Sequence, residues 1–299
     1  MTRSGMVDAG AGWVLLLRLL TRLPQPALSR ITGRLADLRI PRPLRRTLLG
    51  AFARMTRIDV AEAAQPLAEY ETLDAFFVRR LRAGLRHWPA GERGVGSPVD
   101  GQFGEAGAID EGRLVQAKGR TYTVAELIAD DADADRFRRG AFVTFYLSPR
   151  HYHRIHSPVS GGIDRLRRVP GALLPVNRAA VGSVDRLFPR NERAVCMVDG
   201  PAGRVAVVAV GAFNVGRITA SFAPSPTSGD HQITNVRGRD PEVWTFDPPV
   251  SVERGEELMS FHLGSTVVLL FEADRVVLDR SIQPGAEVRL GAQIAVQRG

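Results

Sequence analysis

Five short aliphatic and β-branched runs constrain this chain's fold more than any other feature: Val143 to Leu147, Val195 to Val198, Val205 to Val210, Thr266 to Phe271 and Arg275 to Leu278. Each is bounded by glycine, proline or charged pairs, and each is too short for a buried helix, so they read as strands. After about residue 60 the only convincing helical pieces are a short one capped by Thr72, then Ala125 to Ile128 and Asp135 to Arg138. Arg217 to Pro249, rich in Ser, Pro, Gly and Asp, reads as a long loop region. No fixed-period repeat is present. The body is therefore expected to be β-rich.

The front of the chain is different. Residues 1 to 60 hold eleven arginines against Asp8, Asp37 and Asp59, which accounts for the whole formal charge of +8. The stretch from Trp13 to Leu23 is apolar but broken by Arg18 and Arg22 and ended by Pro24. It is shorter than the roughly 20 apolar residues needed to cross a bilayer. Helical patterns follow from about Ala27 to Leu38 and from Leu44 to about Met55, with arginines recurring among apolar positions. Such segments read as basic amphipathic helices at an anionic membrane surface. A cleavable secretory signal fits poorly, because arginines invade the apolar core and no small-residue cleavage site follows it. Nucleic acid fits poorly too, since no groove-reading motif or stacking aromatic pattern accompanies the charge.

At 299 residues and 44% hydrophobic, the chain can bury a full core. Cys196 is the only cysteine, which excludes an intrachain disulfide and a cysteine-based metal site, and its apolar setting reads as a buried strand. Lys118 is the one lysine beside thirty-nine arginines; it marks either a place for a compact ammonium or a surface position spared by chance.

Chemistry is concentrated in three places. In Leu263-Gly264-Ser265-Thr266, a hydroxyl nucleophile follows a residue with no side chain, so Ser265 can attack its own preceding peptide if a base is supplied. His151, His153 and His156 cluster just after a strand; alternation sends His151 and His153 to one side and His156 to the other. They lack the spacing of a zinc helix and have no carboxylate among them, so proton transfer suits them better than metal ligation. A base histidine needs an orienting acceptor, and Asp100, in the Ser97-Pro98-Val99-Asp100-Gly101 turn, is a candidate that on its own also reads as a plain structural turn.

Taken in order, Phe76-Phe77-Val78-Arg79, Ser97-Pro98-x-Asp100-Gly101, Gln116-Ala117-Lys118-Gly119, Tyr146-Leu147-Ser148-Pro149-Arg150-x-Tyr152-His153-Arg154-x-His156, Val176-Asn177, Asn191-Glu192-Arg193, Val210-Gly211-Ala212 and Leu263-Gly264-Ser265-Thr266 resemble the motif series of phosphatidylserine decarboxylases. The resemblance runs from about residue 70 to the end, and the basic front resembles that family's membrane-binding helices. One departure is His151, which replaces the acidic residue common before the Tyr-His pair.

The resemblance implies an α+β, β-rich protein: basic amphipathic helices within residues 1–69, then a β-sandwich or barrel-like catalytic domain over 70–299. It implies Asp100, His156 and Ser265 as a self-processing triad in which Asp100 orients His156, with His153 moving a proton in decarboxylation. Cleavage at Gly264-Ser265 would give a beta chain, 1–264, and an alpha chain, 265–299, held together as a heterodimer that can itself dimerise. Ser265 would become a covalent pyruvoyl group, the only cofactor, forming a Schiff base with phosphatidylserine and releasing CO2 and phosphatidylethanolamine. The implied location is peripheral, on the cytoplasmic face of the cell membrane. Arg154, Asn177 and Lys118 are conceivable head-group contacts. A lipid-directed serine hydrolase using Ser265, His156 and Asp100 is the rival, but the exposed Gly-x-Ser-x-Gly elbow such enzymes use is absent. A non-enzymatic lipid-surface scaffold would explain residues 1–60 and leave the ordered motifs without a cause.

Overall fold

The computed structural model describes residues 25–213, 217–222, 231–236, 240–262 and 265–298, with the side chains of Pro26 and Arg178 left aside. The expected first helix, Trp13 to Leu23, and the residues Leu263 and Gly264 lie outside the described residues.

Sixteen strands are described: β1 Gly94–Gly96, β2 Gly101–Ala108, β3 Arg113–Ala117, β4 Arg120–Thr123, β5 Ala141–Leu147, β6 Arg154–His156, β7 Gly161–Val169, β8 Arg193–Gly200, β9 Gly203–Val210, β10 Ile218–Ala220, β11 Glu242–Val252, β12 Glu257–Phe261, β13 Ser265–Phe271, β14 Val276–Leu278, β15 Glu287–Val288 and β16 Gln293–Gln297. Eight form one antiparallel sheet in the order β11-β7-β8-β9-β13-β5-β2-β15. Two three-stranded sheets, β10-β12-β6 and β1-β16-β14, and the β3-β4 hairpin complete the set.

Period-2 alternation divides the large sheet into two buried faces. Val267, Leu269 and Phe271 of β13, with Phe145, Val207 and Cys196, pack against Ile155, Phe261 and Ile294 of the two small sheets. Val268 and Leu270 pack on the other side against Leu127, Ile128, Phe137 and Phe188. A strand covered on both faces must be apolar at every position, which explains the unbroken run of β13. Burying its five apolar side chains is worth on the order of 10 kcal/mol. The molecule is thus α+β and β-rich, a sheet packed between small sheets and helices.

The front helices are Gln25–Ala36 and Arg42–Thr56. The second packs Leu49 and Ala53 onto Ile58, Ala63, Tyr70 and Phe76 in a cluster of its own. Its other side leaves Leu44, Leu48 and Met55 exposed, as are Ile31, Leu35 and Leu38 on and just after the first helix. Among the described residues no helix is long and apolar enough to cross a membrane.

Two sequence expectations need correction. Arg217 to Pro249 is not all loop: β10 lies within it and β11 takes up its C-terminal part. β11 is an edge strand that alternates between half-buried and exposed, and its prolines fall at the register shift between Thr245 and Val250, where no ladder N–H is required. The helix expected at Asp135 to Arg138 instead spans Asp131–Arg136, because the Asp130 carboxylate accepts the Asp133 N–H (3.1 Å) and sets an earlier start.

Candidate active site

β5 and β13 pair in the large sheet, and β6 and β12 pair in a small one. β5 leads through residues 148–153 into β6, and β12 leads through residues 262–264 into β13. The ladders fix both ends: Ser265 is registered with Leu147, and the Phe261 N–H donates to the His153 carbonyl (2.9 Å). Ser265 and His153 therefore bound these connections. His156, registered with Glu257, lies three residues further along β6, about 10 Å away at strand rise.

Ser265 heads a fully buried strand, and alternation sets it with Val267 and Leu269 on the face toward the small sheets. Its Oγ is buried and has no hydrogen-bond partner among the described residues.

His153 is completely buried, with Phe77 stacked 4.2 Å away between ring centroids. Its Nδ1–H donates to the His151 carbonyl (2.8 Å), which leaves Nε2 as the bare nitrogen, also without a partner among the described residues. Burial, reinforced by the nearby Arg79 charge, pushes its pKa well below the ordinary histidine value. Its buried setting favours the neutral form.

His156 is half-buried on the opposite face of β6 from Ile155. Its Nδ1–H donates to the Gly255 carbonyl (2.7 Å), and Nε2 lies 3.3 Å from the Tyr152 hydroxyl. Burial lowers its pKa as well. The orienting acceptor is thus a backbone carbonyl, whereas the sequence pointed to the Asp100 carboxylate. Asp100 is instead gripped by Arg86, whose Nε and Nη2 reach its two oxygens at 2.8 and 2.5 Å. Arg86 also bonds Glu62, and Asp100 accepts the Leu290 N–H (2.7 Å). The link from Asp100 to His156 runs through the backbone: the Pro98 carbonyl of the same turn accepts the His156 N–H (2.9 Å). Gly101 is needed beside it because a Cβ there would meet the Tyr146 carbonyl oxygen at 2.9 Å.

Two of the conceivable head-group contacts, Arg154 and Asn177, have partners within the protein. Arg154 donates to the Val78 carbonyl (2.8 Å) and to Glu257 (2.5 Å), and Asn177 accepts the Ala180 N–H (3.0 Å) at the start of a short helix. Lys118 is exposed at the tip of the β3-β4 hairpin, where it and Gly119 have φ of 50° and 75°. Sequence reasoning missed Arg86, Gly255 and Glu287, which sit among the site residues without any local pattern to mark them. Phe77, by contrast, stood within a motif.

The phosphatidylserine decarboxylase family model matches residues 73–296. The chain is 47% identical over 277 residues to a phosphatidylserine decarboxylase proenzyme of Anaeromyxobacter sp. (strain K), covering 93% of this chain and 96% of that protein. It is 43% identical over 280 residues to the proenzyme of Myxococcus xanthus (strain DK1622), covering 94% and 97%. A match that spans the whole described site and nearly the full length of both relatives leaves one assignment: the chain belongs to the phosphatidylserine decarboxylase family.

Proposed function

We propose that the protein decarboxylates phosphatidylserine to phosphatidylethanolamine and CO2, using a pyruvoyl group made from Ser265 by self-cleavage. The observation that carries this reading is the buried Ser265 hydroxyl at the head of a strand, with no hydrogen-bond partner among the described residues. The relatives' designation as proenzymes supports processing as well.

In this reading His156 Nε2 takes the proton of Ser265 Oγ, which attacks the Gly264 carbonyl. The C–N bond breaks, an ester forms and the Ser265 amine is freed. Loss of the Ser265 α-proton then breaks the Cβ–Oγ bond and leaves Gly264 with a free carboxylate. The dehydroalanine left at position 265 takes up water and releases ammonia, giving the pyruvoyl group. Asp100 with Arg86 anchors the turn that holds the His156 backbone. The pyruvoyl group supplies a ketone that takes up the substrate amine and draws electrons from the carboxylate carbon. Position 265 suits it: the serine hydroxyl it replaces makes no bond among the described residues, and the bare His153 Nε2 is buried in the same interior. His153 receives a proton shed by the substrate amine and returns it to the α-carbon after CO2 leaves.

The small chain, 265–299, stays bound because β13 is laddered between β5 and β9, β16 pairs with β1 and β15 pairs with β2. The arginine-rich helices with their exposed leucines dock the protein on the anionic, cytoplasmic face of the membrane as a peripheral enzyme. The division at residues 69 and 70, between this docking region and the catalytic domain, and a dimer of the processed protein belong to the same reading.

The test is CO2 release from carboxyl-labelled phosphatidylserine in vesicles. The protein should release label, and Ser265→Ala should release none. No label released, together with phosphonate labelling of Ser265 in an uncut chain, would favour a lipid hydrolase. The buried strand position of Ser265 argues against that alternative.

A further inference from the structure

His151 lies in the turn between β5 and β6, and the structure gives it a specific set of partners. Its Nδ1 accepts the Ser148 N–H (3.0 Å), with Ser148 Oγ at 3.2 Å, while its own N–H donates back to the Ser148 carbonyl (3.0 Å). With Nδ1 accepting, the proton sits on Nε2, which donates to Glu287 Oε2 (3.0 Å). Arg150 Nε also lies 3.3 Å from Nε2 and cannot donate to a nitrogen that already carries hydrogen; its guanidinium pairs with Glu287 instead. Glu287 is held in turn by Gln102 Nε2 (2.8 Å), its ladder partner across β15 and β2. The His151 carbonyl is the acceptor that fixes His153.

We propose that Glu287, acting through His151, is a positioning residue for the decarboxylation step: together they hold the 148–151 turn so that its carbonyl keeps His153 in the Nδ1–H form with Nε2 bare. This rests on the decarboxylase reading above. Glu287 lies in the 265–299 segment and His151 in 1–264, so the small chain supplies, besides Ser265, the side chain that sets the large chain's histidine.

The variants are His151→Ala, His151→Asn and Glu287→Ala. Asn retains an oxygen acceptor near the Nδ1 position and serves as the conservative rescue. Each is scored for cleavage on a denaturing gel, for kcat and KM in CO2 release, and for the His153 tautomer by 15N–1H correlation NMR in a Ser265→Ala background. The Ala variants should cleave fully, keep KM within about twofold and lose kcat about ten- to hundredfold, as outer partners of metal-bound histidines do. His151→Asn, which keeps the Ser148 contact and loses the one to Glu287, should recover part of kcat to about the level of Glu287→Ala, and His153 should shift from one tautomer to a mixture in His151→Ala. Unchanged kcat, an unchanged His153 tautomer, or a parallel loss of cleavage, kcat and KM that Asn does not rescue would overturn the proposal. If the unsubstituted protein releases no CO2, the decarboxylase reading fails, and the tautomer measurement alone decides the positioning claim.

Discussion

His153 and His156 are three residues apart, of the same type and both depressed in pKa, yet they occupy different surroundings. His153 is sealed against Phe77, held by one carbonyl, with its second nitrogen unpartnered among the described residues. His156 is half-buried, with both nitrogens engaged and its backbone tied to the Asp100 turn. Strand alternation alone separates them, since an odd spacing along an extended chain sends side chains to opposite faces. The same spacing can therefore supply two bases for two steps, one in the buried interior and one at its margin.

Single substitutions test this division most severely. Ser265→Ala should stay full length and lose all CO2 release, because without the Ser265 hydroxyl neither the cut nor the pyruvoyl group can form. His156→Ala should remain uncut, while His153→Ala should cut normally and lose about 10²- to 10⁴-fold in decarboxylation. If both histidine variants block cleavage equally, or if His153→Ala alone blocks it, the division fails.

The pH profiles sharpen the comparison. Both folded pKa values lie below the ordinary value of about 6.5, so the fold favours the neutral forms. Their contribution to stability is present above about pH 6.5 and is lost as pH falls through the folded values. Cleavage and decarboxylation should each have an acid limb below pH 6.5, because burial lowers both histidines. Limbs at or above pH 6.5 would contradict the described burial.

Packing effects should be smaller. Leu269→Ala, in the middle of β13, should cost about 2–5 kcal/mol in denaturant unfolding, the usual penalty for a cavity in a strand buried on both faces. Smaller still is the membrane contribution. Arg46 and Arg54 are exposed beside Leu44, Leu48 and Met55. Changing both to Ala should weaken binding to anionic vesicles by about 1 kcal/mol per arginine, with little effect on neutral vesicles. Equal loss on both kinds of vesicle would point to misfolding of the helix.

The large features of the fold were legible because they follow from local pattern. The central strands are continuous apolar runs, and the helices 25–36 and 42–56 show their arginines at helical spacing. β11 was not legible, because an edge strand with exposed polar positions and two prolines carries the composition of a loop. The site was legible residue by residue through its ordered motifs, but its bonds were not. Arg86 reaches Asp100 across 14 residues, Gly255 reaches His156 across 99, and Glu287 reaches His151 across 136. Partners chosen by tertiary proximity leave no spacing to read, which is why Asp100 looked like the partner of His156 when it is the partner of Arg86.

The central claim is that the chain cuts itself at Gly264–Ser265, and the intact mass of the purified protein tests it most directly. The account predicts two species, residues 1–264 and a 35-residue chain beginning with a pyruvoyl group in place of Ser265. A single uncut chain of 299 residues in a preparation that releases CO2 from phosphatidylserine would contradict it.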